Sequence, residues 1–408
     1  MRRKGISCWG LMAAVVIPVF LVSGFFQRAE CKEKKEIKFG TTLSLTGMFA
    51  SFGNEGKLVY EIAVDDINKN GGIYVKELGE KLPVKLIVYD DESDVGKGTD
   101  ALEKLIRGDK VDILLGGIGA VNDLTGPIAD KYKILWIGSV YPRSIFRGGF
   151  KFAVLPFHTG DDEAFAFFSG MRSLPKDQQP KTVALYEELS PDGDENARGC
   201  ETMADKFGFK IVLHEKYTAG SDPTSFLLKC KKADVDIVYM LPNPPDAVNI
   251  IKRSKEIGWA PKAWGFTRGT AVSYFGQALG KDSDYAFGMF AWHPACKRPG
   301  SSELVKRIRA VLGHDPFLGG LWYANVQVAR AAIEKAGSLD KKKIRDAAFS
   351  LDIETTAGRM AFKPNGRWKF KEQNTMLFQW QNGKLEIIWP EDQKTAEMWY
   401  PTKPWAER

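Results

Sequence analysis

The stretch Ile37–Gly72, "IKFGTTLSLTGMFASFGNEGKLVYEIAVDDINKNGG", decides the fold class. Its first seven residues are apolar and β-rich, and they read as a strand. The Ser, Thr and Gly that follow are the residues of a strand-to-helix loop. They are also residues that let a ligand approach the main chain, and the two phenylalanines, Phe49 and Phe52, offer it flat surfaces. Farther on, Val59, Ile62, Ala63 and Ile67 fall on one helical face. Asn54 is a good N-cap for that helix, and Asn70-Gly71-Gly72 stops it. Strand, hydroxyl-rich loop and helix make the opening unit of a parallel sheet.

The same rhythm runs outward from this unit. "VKLIVYDD", "VDILLGG" and "ILWIGSV" read as strands, with the helical "GTDALEKLIRG" and "DLTGPIADKY" between them. It starts again with "TVALYEE", "FKIVLHEKY", "VDIVYML" and "KAWGF", interleaved with helices such as "DAVNIIKRSKEIG". Short apolar runs alternating with helices predict parallel sheets covered on both faces, in two α/β units of ~100–150 residues each. The tail differs. "ELVKRIRAVLG" and "WYANVQVARAAIEKAG" are helical, whereas "GRMAFKPNGRWKF", "TMLFQWQNG" and "KLEIIW" read as antiparallel strands turning at Pro-Asn-Gly and Asn-Gly.

Composition places the 408-residue chain among ordinary globular proteins, with 44% hydrophobic and 27% charged residues. The net charge of +7 is spread along the chain, without the basic stripe that nucleic-acid binding needs. Residues 1–30 stand apart: "MRRKG" followed by the uncharged "CWGLMAAVVIPVFLVSGFF" is a secretory signal pattern. The apolar run, residues 8–26, is long for a signal, and ~18 apolar residues can also span a bilayer, so a retained anchor is the alternative to cleavage. "QRAEC" lacks the small apolar residues expected before a lipidated cysteine. The five cysteines form no zinc spacing; Cys200 and Cys230 either pair in an oxidising compartment or stay free, and Cys296 leaves further pairings open.

Catalytic signatures are absent. "GGIGAVND" departs from G-x-G-x-x-G at Asn122 and follows the third strand rather than the first, and no P-loop, zinc-protease or serine-elbow motif occurs. His158, His214, His293 and His314 lie far apart. The acidic clusters "YDDESD" and "PDGDEN" lack calcium-loop spacing and are explained as turns and caps. No metal or cofactor is expected. In open α/β sheets ligands sit beyond the C-terminal strand ends. In the first unit these are "SLTG", Asp90-Asp91, "GGIGAVND" and "GSVYP", which together form one wall of a cleft.

The order of these features resembles the branched-chain amino acid (Leu/Ile/Val) type of periplasmic binding protein. The run S-x-T-G…A-x-x-D-I-N-x-x-G-G-I is its most specific piece, and the resemblance continues through "DVDIVYM", "IIKRSKEIGW" and "WYANVQVARAAIEKAG" to "MAFKPNGRWKF". It implies an α/β fold of the type I periplasmic binding class: two Rossmann-like lobes joined by a three-segment hinge, with crossings near residues 156–158, 286–292 and 356–359. Lobe 1 would comprise 36–157 with 291–356, and lobe 2 158–290 with 357–395.

The resemblance also implies a site. The ligand carboxylate would meet Gly119, Ala120, Ser139, Val140 and Tyr141, although Ala120 lacks the family's hydroxyl. Phe52 would line the side-chain pocket, Asn243 replaces a tyrosine, and Tyr323 matches a retained aromatic. Thr267 and Arg268 stand where an acid normally holds the ligand's ammonium group. A buried ammonium without a carboxylate is costly, so an Arg268 aimed into the cleft would favour a carboxylate ligand over a zwitterionic amino acid. Phe52, Tyr141, Trp264 and Trp322 would suit an aromatic acid or belong to the lobe cores. Ser93 and Gly119 occupy the positions of the family's usual disulfide. The implied function is the substrate-binding component of an ABC importer, periplasmic, capturing a small amino acid or organic carboxylate for a membrane permease. The rivals are a ligand-sensing receptor domain on the same fold and a nucleotide-dependent enzyme.

Overall fold

The opening run forms β1 (Ile37–Leu43), which pairs in parallel along its whole length with β4, from Ile37↔Val84 to Leu43↔Asp90. Between them lie α1 (Ala50–Lys69) and a short hairpin, β2 (Ile73–Val75) and β3 (Glu80–Leu82); β4 spans Val84–Asp90. There follow α2 (Val95–Glu103), β5 (Ile113–Leu115), α3 (Asn122–Tyr132), β6 (Leu135–Ile137) and β7 (Ala153–Val154). They build a parallel sheet of order β4-β1-β5-β6-β7. The computed structural model describes residues 34–47, 49–117, 121–139, 141, 149–369 and 374–408, and Glu36–Arg408 form one unit.

The second sheet grows from α4 (Gly160–Ser173), β8 (Thr182–Glu188), α5 (Pro191–Phe207), β9 (Lys210–Tyr217), α6 (Thr224–Lys232), β10 (Ile237–Met240), α7 (Pro244–Ile257), β11 (Ala263–Phe266), α8 (Ser273–Leu279) and β12 (Ala286–Phe290). The chain then returns through α9 (Ser301–Leu312), α10 (Gly319–Ala336), α11 (Lys341–Phe349) and the hairpin β13 (Asp352–Thr355) and β14 (Gly358–Ala361). It finishes with β15 (Met376–Gln381) and β16 (Lys384–Trp389), both antiparallel, in a sheet of order β16-β15-β12-β11-β10-β8-β9. Asn382 and Gly383 take positive φ in the turn between them, as an Asn-Gly hairpin requires.

Burial explains why these runs are strands. Along β8, Ala184 and Tyr186 join one apolar cluster while Val183 and Leu185 join another on the opposite face. β6 does the same, with Leu135 and Ile137 on one side and Trp136 on the other. Helices thus cover both faces, which is why the strands read as continuous apolar runs rather than alternating ones. Trp264 and Trp322 are fully buried core residues.

Two features differ from expectation, and one alternative left open is closed. α1 starts at Ala50, so Phe52 and Gly53 are helical. The Asn54 amide does not cap the helix; it donates to Leu45 O (3.0 Å) and Ala50 O (2.7 Å). A Cβ on Gly53 would sit 2.0 Å from Ser44 O, so only glycine lets the helix begin this close to the strand end. The third passage between sheets comes later than residues 356–359. Arg367 still bridges to Leu155, with Leu155 N donating to Gly366 O, and the second sheet is regained only at Met376. Finally, Cys200, Cys230 and Cys296 are buried free thiols. Cys8 and Cys31, with the whole of residues 1–30 that read as a signal or anchor, lie outside the described residues.

Candidate functional site

At the end of β1 the Ser44 hydroxyl donates to Asp91, which also accepts Ser93 N at 2.9 Å. Burial pushes the Asp91 carboxyl above its ordinary range. Its neighbour Asp90 accepts Leu45 N (2.9 Å), Thr46 Oγ1 (2.8 Å) and Glu92 N (2.8 Å). Burial works against that charge too, but the donors outweigh it and hold Asp90 below the usual carboxylate range. The hydroxyls that looked free for a ligand are therefore spent on the two aspartates. Ser93, at a position of the family's disulfide, donates to Thr46 O at 2.8 Å and fastens the same loop.

The second half presents charge. Arg268, after β11, places Nη2 2.9 Å from Glu188 and Nη1 3.2 Å from Asp192. Asn243, after β10, donates to Glu188 at 3.4 Å. Burial raises Glu188 and Asp192 above their ordinary values, and the Arg268 guanidinium pulls both back. The expected contact between Arg268 and a ligand carboxylate thus meets a guanidinium already engaged by two protein carboxylates. Ser190 fixes this corner by accepting Gly193 N at 3.0 Å, which caps α5.

Tyr141, just beyond β6, joins the halves. Its hydroxyl donates to Glu163, in the first turn of α4, and accepts the Asn196 amide at 3.4 Å. Asn196 also donates to Thr267 Oγ1 at 3.3 Å, so two of the expected site residues, Tyr141 and Thr267, belong to one buried network. His158 Nε2 lies 3.1 Å from the other Glu163 oxygen. Burial drives Glu163 well above the ordinary carboxylate range. Beside this network an aromatic chain runs from Phe52 to Phe317 (ring centroids 5.5 Å apart), to Phe290 (4.7 Å) and to His158 (4.1 Å).

Ser139 is buried at the end of β6. Gly119, Ala120 and Val140 lie outside the described residues. Tyr323 is placed elsewhere: its hydroxyl donates to Asp66 at 2.9 Å, about four turns along α1 from the strand ends, beside the Arg307–Asp66 pair at 2.7 Å. The adjacent Trp322 packs edge-on against Tyr60. Glu163 and Glu188 were not singled out by sequence, and Asp192 and Asn196 stood there only within the cluster "PDGDEN", explained as turn and cap. The strand-end rule that found the first wall reaches Glu188 and Asp192 once it is applied to β8.

A parallel sheet and a mainly parallel one joined by repeated chain passages, with polar groups gathered where their strand ends meet, define a two-lobed solute-binding protein of the type I periplasmic class. Residues 36–384 match the periplasmic binding protein family, and the chain belongs to it. It is 25% identical over 392 residues to Leu/Ile/Val-binding protein homolog 7 of Brucella suis biovar 1 (strain 1330), covering 90% of this chain and 94% of that protein. A putative branched-chain amino acid ABC transporter protein from Silicibacter pomeroyi superposes with a TM-score of 0.80 at 17% identity, covering 91% of this chain and all (100%) of that one. The branched-chain amino acid transporter substrate-binding protein of Streptococcus pneumoniae strain Canada MDR_19A, solved with isoleucine, gives 0.73 at 18% identity, covering 87% and 100%. Family membership implies an extracytoplasmic location. Among the described residues no helix is long and apolar enough to cross a membrane.

Proposed function

We propose that this protein is the solute-binding component of an ABC importer, holding a small amino acid or organic carboxylate between its two halves and presenting it to a membrane permease. The observation that carries this reading is the meeting of Tyr141, from the first sheet, with Glu163 and Asn196, from the second. Groups from both halves converge there only when the halves are together. A ligand touching both shifts the open–closed population, and the permease reads the closed shape. Useful capture needs a Kd near micromolar, about 8 kcal/mol of binding free energy. The family binds solutes and does not transform them. Phe52, Ser139, Tyr141 and Thr267, with Gly119, Ala120 and Val140, remain the proposed lining.

The second wall favours an amine-bearing ligand, because its one guanidinium faces the carboxylates of both Glu188 and Asp192. The names of the relatives support the same choice, so leucine, isoleucine and valine come first and aromatic or aliphatic carboxylates second. Thermal-shift screening of the purified protein against both sets tests this, since a ligand at 100 times its Kd adds about 2.7 kcal/mol of stability. Stabilisation by the branched-chain amino acids, unaltered in kind by Arg268→Ala, is expected. Stabilisation by carboxylates alone, weakened tenfold or more in Arg268→Ala, would return that residue to the ligand. Stabilisation by neither set would sink the ligand class.

A further inference from the structure

Arg298 lies between β12 and α9, on the passage that carries the chain from the second sheet back to the helices over the first. Its partly buried guanidinium spreads over three main-chain carbonyls. Nη1 donates to Ala291 O at 2.7 Å and to Ala357 O, and Nη2 donates to Asn374 O at 2.9 Å. Ala291 is the first residue after β12, Ala357 sits in the β13–β14 turn, and Asn374 leads into β15. One side chain therefore holds together the second passage, the β13–β14 turn and the end of the third passage where it enters β15.

The same segments are knit a second time around Ser301. Its hydroxyl donates to Thr356 O at 2.8 Å and accepts Trp292 Nε1 at 3.3 Å, while Thr356 Oγ1 donates to Gly320 O at 2.8 Å. A planar guanidinium, with five donors in a fixed fork, can serve three carbonyls at once; an ammonium on a flexible stem cannot match that geometry. Burial works against the Arg298 charge and lowers its pKa, while the three carbonyl oxygens give its donors hydrogen-bond partners. Closure of two halves is absorbed by φ/ψ changes in the few residues of the passages. Passages that flexed independently would let the halves twist and shear as well as close.

We propose that Arg298 is the positioning residue of the hinge: it makes the second and third passages bend as one body, and so sets the balance between open and closed forms. Its consequence for affinity rests on the solute-trapping reading, but the mechanical coupling is measurable without any ligand. Hydrogen exchange on the full chain should compare the parent with Arg298→Met and Arg298→Lys. Amides of 355–358 and 374–376 should exchange at least tenfold faster in Arg298→Met and by an intermediate amount in Arg298→Lys, with Ile237–Met240 as in the parent. Ligand-free X-ray scattering should show a larger mean radius for Arg298→Met. Parental exchange at both segments in both variants would overturn the inference, as would acceleration spread evenly over the chain or an unchanged scattering curve. With leucine as probe, a Kd at least tenfold weaker is expected in Arg298→Met. Parent protein that binds no leucine, while the variants show the local exchange change, would sink the ligand assignment and leave the hinge residue standing.

Discussion

The two halves begin with the same device and then diverge. In the first, Gly53 lets α1 start against the end of β1, where a Cβ would lie 2.0 Å from Ser44 O; in the second, Gly193 lets α5 start against the end of β8, where it would lie 1.9 Å from Glu188 O. Beyond that corner the first half answers its carboxylates locally, with the Ser44 and Thr46 hydroxyls and loop amides on Asp91 and Asp90. The second answers Glu188 and Asp192 with Arg268, which reaches back from the loop after β11, 80 and 76 residues downstream. One backbone solution thus carries two electrostatic ones. A loop that satisfies its own acids presents dipoles to a ligand, whereas an ion-pair network presents charge.

The backbone side of this comparison predicts the largest effect. Gly53→Ala and Gly193→Ala each force a methyl group into a main-chain carbonyl oxygen, a clash no rotamer change relieves, and each should cost about 3 kcal/mol or more. Urea unfolding of the two variants would show it. Closely matched losses mean that the halves share the corner as a structural requirement. Tolerance of alanine at Gly193 but not at Gly53 would show that the likeness stops at appearance.

Charge burial gives the next effect. Glu55, on α1, accepts Phe317 N at 2.7 Å and Leu318 N at 2.6 Å, where α10 begins. Desolvation raises its pKa from 4.5 to about 7, against the lowering influence of those two amides. A carboxyl whose folded pKa lies above its unfolded value holds its proton longer in the native state. Its contribution is therefore fully present below pH 4.5 and is lost as the pH rises through 7, by about 3 kcal/mol in all. Glu55→Gln removes this titration, so the stability difference between variant and parent should move in the variant's favour by about that amount between pH 4.5 and 8. Parallel pH profiles would show Glu55 ionised with equal ease in both states. The second half offers a contrast at its own corner, where α5 is capped by the uncharged Ser190 and the raised carboxyls of Glu188 and Asp192 are drawn back by Arg268.

How much of this was readable in advance follows from the range of each interaction. Sheet class, helix faces and the Asn382-Gly383 turn depend on residues within one element, and the periodicity of "IKFGTTL" or "DAVNIIKRSKEIG" expresses them directly. The strand-end rule led to Ser139 and Tyr141, because a parallel sheet fixes where its loops emerge, whereas Thr267 came from the family resemblance. The strand-end rule reaches Glu188 and Asp192, but their pairing with Arg268 was not readable, since the end of β8 and the start of α5 come near it only through the sheet order β11-β10-β8. Asn54 carried a correct capping residue type at the wrong place: the start of α1 was set by how closely Gly53 approaches Ser44, a contact between elements. The third passage was displaced for the same reason, by the bridge between Arg367 and Leu155.

Tyr323 gives the smallest effect and the sharpest check on reasoning from the family resemblance alone. The resemblance gave it as a retained aromatic of the site, and its place beside the buried Trp322 sets it at an edge of the α10 face without fixing which neighbour it meets. The neighbour is Asp66, shared with Arg307, and together they tie α10 to α1 and α9 on the outside of the first half. The Asp66 carboxyl stays below its usual range because the Arg307 and Tyr323 bonds outweigh its partial burial. Tyr323→Phe removes one partly exposed hydrogen bond to a charged group and should cost about 0.5–1.5 kcal/mol in denaturant unfolding. Ligand affinity should stay at the parental value, because the hydroxyl is committed to Asp66 and the ring remains. A tenfold loss of affinity with unchanged stability would instead mean that Tyr323 swings into the cleft on closure, and that the first wall is built from the helices over its sheet as well as from its strand ends.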